Sequence, residues 1–173
     1  MRNLQIFLFV IFAASLANAG DSSYIQIHSP TKMSLPLPER IHGKAVKYKI
    51  SESPKSTEIE FNFSEAAGTP SKTKERVMVT PLPNIQSKKD IDYDFLKAFP
   101  GTSLPATAPS SANMQFREVI ELANAQVHVF YLRGAMRDVD RVYVLSNNGK
   151  GAILIESPNP LTFDWKRLKI QWK

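Results

Sequence analysis

The chain has 173 residues, with 22 Lys and Arg against 16 Asp and Glu, and no cysteine. That length suits one domain with its own core and is short for two. Without thiols the chain excludes disulfides, cysteine nucleophiles, Cys-ligated zinc and iron–sulfur centres, and an exported form must rely on packing alone.

Residues 1–19 read as a cleavable export signal. Arg2 precedes the apolar run Ile6 to Phe12, and the small residues Ala17 and Ala19 occupy the outer and inner small-residue positions of an A-x-A cleavage site. The run is shorter than the roughly 20 residues of a spanning helix. Cleavage after Ala19 is therefore expected, with no stable membrane insertion afterwards and a periplasmic or secreted destination. No Cys follows Ala19, which excludes acylation as a lipoprotein. The expected mature domain, residues 20–173, loses only Arg2 among the charges and keeps a net +5.

Residues 20–39 are polar and proline-bearing, with one short alternating stretch, Tyr24 to His28, that predicts a strand. In residues 44–63 the period-two pattern Val46, Tyr48, Ile50 and then Ile59, Phe61, Phe63 flanks Ser51–Ser56, a hairpin signal. A turn centred between Ser53 and Pro54 sets Lys47 against Glu60, Lys49 against Glu58, Val46 against Phe61 and Tyr48 against Ile59. One face is then apolar and the other carries paired opposite charges. Arg76 to Thr80 predicts a short strand ended by Pro81 and Pro83. Asp90 to Phe99 predicts a helix with Ile91, Phe95, Leu96 and Phe99 on one stripe and three aspartates near its positive N-terminus.

Residues 100–113 form a Pro/Ser/Ala-rich loop. Met114 to Ala125 fits a helix through Phe116, Val119, Ile120 and Ala123, or a strand through Val119 to Leu122. Val127 to Leu132 predicts a strand. Arg141–Leu145 and Ala152–Glu156 predict a second hairpin around Asn147–Gly151. The unbroken apolar run Ala152–Ile155 suits a central strand covered on both faces. Leu161 to Lys173 reads either as a helix (Leu161, Trp165, Leu168, Trp172) or as a strand (Leu168, Ile170, Trp172). The expected fold is α+β: a mainly antiparallel twisted sheet of about five to seven strands, including two hairpins, with two or three packed helices.

Few residues form a complete chemical motif. Asp90-Ile91-Asp92-Tyr93-Asp94 imitates the start of a calcium loop, but Phe95 and Gly101 stand where the motif needs Gly and Glu. His28, His42 and His128 lack metal-ligand spacing. Ser146 lacks the glycines of a hydrolase elbow, and Gly149-Lys150-Gly151 lacks a phosphate-loop frame. Asp138 and Asp140, beside Arg137 and Arg141, suit exposed ion pairs. No cofactor, metal site or nucleic-acid partner is therefore expected.

Two functions remain. The first is a non-catalytic binding protein of the bacterial envelope, either an immunity-type inhibitor of an envelope toxin or an envelope assembly factor. Its binding edge would be Lys166, Arg167, Lys169 and Lys173, and its partner another envelope or secreted protein with an acidic surface. The second is a small hydrolase using His128 with Asp138 or Asp140.

Overall fold

The computed structural model describes residues 24–28, 31–37, 39–41, 44–63, 75–107, 115–133, 139–158 and 163–172. The expected signal segment, His42, Asp138 and Lys173 lie outside those residues.

The alternating segments become strands, and strands dominate. In chain order they are β1 (Tyr24–Ile27), β2 (Lys32–Pro36), β3 (Arg40–Ile41), β4 (Lys44–Glu52), β5 (Thr57–Phe63) and β6 (Glu75–Leu82). Helix α1 (Lys88–Ala98) follows, then β7 (Phe116–Glu121), β8 (Ala125–Leu132), β9 (Val139–Ser146) and β10 (Ala152–Pro158). A single 3-10 turn, Trp165–Arg167, leads into β11 (Lys169–Gln171). Two antiparallel sheets result. One has the order β1-β2-β11 and the other β3-β4-β5-β6-β10-β9-β8-β7, eight strands when the two-residue β3 is counted.

The expected α+β fold is overturned: the described residues carry eleven strands, one α-helix and one 3-10 turn. Both ambiguous segments resolve as strand. Residues 116–121 pair with β8, Ile120 opposite Val127, and the Leu122 N–H donates to the Ala125 carbonyl to close the turn. The helical spacing of Phe116, Val119 and Ile120 is thus coincidental; cross-strand partners decide the conformation. Near the C-terminus the helical stripe lasts one turn, because β11 finds a partner in β2, Ile170 opposite Met33.

The first hairpin forms with its apolar face as expected but in a register two residues away. Tyr48 faces Phe61, Lys49 faces Glu60 and Ile50 faces Ile59. A two-residue slip keeps every side chain on its face, so the patterning tolerates it and the turn decides. Ser53 closes a four-residue loop: its Oγ donates to the Ser56 carbonyl at 2.8 Å and accepts the Ser56 N–H at 3.0 Å. Glu58 and Glu60 both ion-pair with Arg76 of β6, at 3.0 and 3.7 Å. β6 continues through Pro81 to Leu82 instead of ending before it. Its pairing with β5 stops at Val79, so Pro81 contacts only β10 and needs no donor toward β5.

The sheets enclose one core and α1 covers another. Alternate residues of the large sheet (Ile59, Phe61, Val77, Val79, Val127, Val129, Val142, Val144, Ile153, Ile155) meet Ile27, Met33, Leu35, Trp165, Leu168 and Ile170 from the other side. The opposite face of the large sheet (Phe130, Tyr143, Leu145, Ala152, Leu154) meets Ile91 and Phe95 of α1. The helix starts at a capping box. Ser87 Oγ accepts the Asp90 N–H, and Asp90 Oδ2 accepts the Ser87 N–H at 2.9 Å and the Gln86 N–H at 3.0 Å. These donors hold the Asp90 carboxyl below its ordinary range. Leu96, expected inside, is instead 37% exposed. No helix among the described residues is long and apolar enough to cross a membrane.

Phe61 is fully buried in the inter-sheet core. Phe61→Ala is expected to destabilise the domain by about 3–5 kcal/mol, as large-to-small core changes do. Urea denaturation measures it, and a loss under about 1 kcal/mol would place Phe61 outside the core.

Candidate functional site

The expected cationic edge lies on the 3-10 turn and β11. Asp164 caps the turn by accepting the Lys166 N–H at 3.2 Å. Trp165, Leu168 and Ile170 point into the inter-sheet core, which leaves Lys166, Lys169 and Gln171 exposed. Both tryptophans are structural. Trp165 is buried, and Trp172 Nε1 donates to the Asn124 carbonyl at 3.2 Å. Asn124 Nδ2 in turn donates to the Ile170 carbonyl at 2.8 Å and fixes the outer side of β11.

Arg167 departs from expectation. It is half-buried, its Nε donates to Tyr24 Oη at 3.0 Å, and its guanidinium sits 5.3 Å from the Tyr24 ring centroid. It is a structural cation joining the turn to β1, not a solvated one. Lys169 Nζ also lies 5.3 Å from that ring centroid. Strand β2 adds a group the sequence reading missed. In register, Gln171 faces Lys32 and Lys169 faces Ser34, which in turn faces Gln26. The outer face of the small sheet therefore presents Gln26, His28, Lys32, Ser34, Lys169 and Gln171 around a shallow groove of about 410 Å³. Lys32 and Lys169 are more than a hundred positions apart, and only the β2–β11 pairing unites them.

Of the two expected hydrolase pairs, His128 with Asp140 is not assembled, and Asp138 lies outside the described residues. His128 lies on the α1 face of β8, alongside Phe130, and is 1% exposed. Asp140 lies on the opposite face of the large sheet and pairs with Arg133 at 2.9 Å. It is buried, not in the exposed ion pair expected. No protein group among the described residues hydrogen-bonds to either ring nitrogen of His128. Burial, seconded by the nearby Arg117 charge, pulls its pKa down to about 4. Ser146 is buried and bonded to Asn148.

The calcium-like acids diverge. Asp90 caps the helix, Asp92 pairs with Arg117 at 2.8 Å, and Asp94 accepts from the Tyr143 hydroxyl at 2.7 Å and from Arg141 at 3.1 Å. Arg141 also pairs with Glu156 and donates from Nε to the Tyr143 hydroxyl at 2.7 Å. Burial pushes the Tyr143 hydroxyl above its ordinary pKa. Among the described residues no group of three or more His, Cys, Asp or Glu is placed to hold a metal ion.

No protein-family model, curated protein or solved structure matches this chain. The residues themselves carry the functional reading.

The two kinds of charge should separate in a stability measurement. Arg141→Met removes the cation that Asp94 and Glu156 share, while the Tyr143 hydroxyl keeps its bond to Asp94. It is expected to cost about 2–3 kcal/mol, less than a fully buried pair because the carboxylates reach solvent. Lys166→Ala and Lys169→Ala should each stay within about 0.5 kcal/mol of wild type. Thermal or urea unfolding of the three variants checks the ranking.

Proposed function

We propose that this chain is an exported, non-catalytic binding protein of a bacterial envelope. It docks an acidic surface of another envelope or secreted protein, as a toxin-neutralising immunity protein or an assembly factor does. The observation that supports it most is the outer face of the small sheet. Lys32 and Lys169 are exposed there, Lys166 is exposed on the adjoining 3-10 turn, and no carboxylate pairs with Lys166 or Lys169 among the described residues. Cations held in place by the fold raise encounter rates with an acidic partner and fix its orientation, and salt screens the effect. The export-signal pattern of residues 1–19 supports the compartment. A hydrolase built on His128 and Asp140 is not favoured, because the two occupy opposite faces of one sheet.

The test is capture from an envelope extract with the mature domain as bait, beside a Lys32→Glu, Lys166→Glu, Lys169→Glu variant. Arg167 stays unaltered because Tyr24 depends on it. The wild type should retain an acidic protein that raised salt releases. The triple variant should associate with it about tenfold more slowly at low salt while unfolding at the wild-type temperature. Capture at an unchanged rate by the triple variant would reduce this face to a solubility feature.

A further inference from the structure

Beneath α1 the molecule holds a combination that the binding reading does not use. His128 is 1% exposed and neither ring nitrogen has a protein partner. Arg117, on the neighbouring strand β7, is also buried, and its Nε is likewise unpartnered. Burying an unpaired polar group is unfavourable even when it is neutral, and burying an unpaired charge far more so. We propose that the α1–sheet interface is an acid-sensitive latch, in which protonation of His128 releases α1 while the core between the two sheets holds.

The charges around the imidazole explain why protonation cannot be accommodated in place. From α1, Lys88 and Asp92 act on it; from β7, Arg117 does. From β9, the cross-strand neighbour Tyr143 and nearby Arg141 face the same layer. Among the described residues Asp92 is the carboxylate whose charge favours the protonated ring, and it already pairs with Arg117, while Asp94 is engaged by Arg141 and Tyr143. Protonation turns the ring's one acceptor nitrogen into a second N–H donor, where neither nitrogen has a hydrogen-bond partner among the described residues, beside a guanidinium and an ammonium. Lifting α1 hydrates it.

The release is local because the two cores differ. Among the described residues the inter-sheet core contains no buried histidine, and the strands that wall it are hydrogen-bonded to neighbours within each sheet. By contrast α1 is held by Ile91, Phe95 and its ion pairs. Regions with few buried contacts open independently of the global core. Opening uncovers the apolar face around Phe95 and Phe130, which stack at 4.4 Å.

The direction follows from linkage. With α1 docked, His128 has its pKa lowered to about 4; released, it returns toward 6.5. The released form therefore binds the extra proton between those values. Docking is fully supported above pH 6.5 and weakens as pH falls toward 4.

Amide exchange at pH 8 and pH 5, corrected for its intrinsic pH dependence, tests the latch. At both pH values the amides of Ile91 to Phe95 should open more readily than those of Val142 to Val144 and Ile153 to Ile155. Their opening constant should rise about 30-fold from pH 8 to pH 5, and by less than about threefold in His128→Leu. Helix amides that open only together with the sheet, or a variant that keeps the full rise, would overturn the proposal. NMR titration of the imidazole in unaltered protein decides the matter if the variant does not fold. A His128 titrating near 4 supports the latch, and one titrating at its ordinary 6.5 overturns it.

Discussion

The structure depends on one strand being buried on both faces. β10 lies between β6 and β9 and is the sole link, within the large sheet, between the meander β3–β6 and the meander β7–β9. Its side chains divide by parity: Ile153 and Ile155 enter the inter-sheet core, and Ala152 and Leu154 enter the layer under α1. No polar residue fits between Ala152 and Ile155 without losing one of those layers. The tight approach at its start has the same origin. Gly151 sits at φ +99°, and a Cβ there would lie 3.0 Å from the Pro83 Cα, so the chain enters β10 against the end of β6 through a conformation that glycine supplies.

From that strand the two faces take on different chemistry. The inter-sheet side is apolar and supports the small sheet, whose outer face carries Lys32 and Lys169. The α1 side is laced with Arg117, Arg141, Asp92, Asp94, Tyr143 and His128. Such polar layers specify one docking position for the helix and are sensitive to the protonation of any one member. The proposed docking face and the proposed acid-sensitive layer lie on opposite sides of the large sheet.

Much of this was legible in local patterning. The hairpins, the helix with its inner Ile91 and Phe95, the two-faced burial of Ala152–Ile155 and the burial of Phe61 all follow from period and composition. The rest depended on distant partners. β2 and β11 are five and three residues long: β2 is a strand because β1 and β11 flank it, and at β11 pairing with β2 chose the strand alternation over the helical one. The helical stripe at Phe116 to Ala123 and the strand alternation share residues, and pairing with β8 chose between them. The hairpin register was missed by two because patterning is indifferent to an even slip. Lys32 could not be grouped with Lys169 before β11 paired with β2, nor Arg167 recognised as structural before the fold brought it beside Tyr24. Residue types at His128 and Asp140 suggested a catalytic pair, and the parity of two adjacent strands separates them.

The joining role of β10 is tested most directly by cross-strand nuclear Overhauser effects from Ile155. The register places Ile155 opposite Val79 on one side and Val142 on the other. Backbone proton contacts to both are predicted. Contacts to Val142 without any to Val79 would contradict the account, because the two meanders would then not form one sheet.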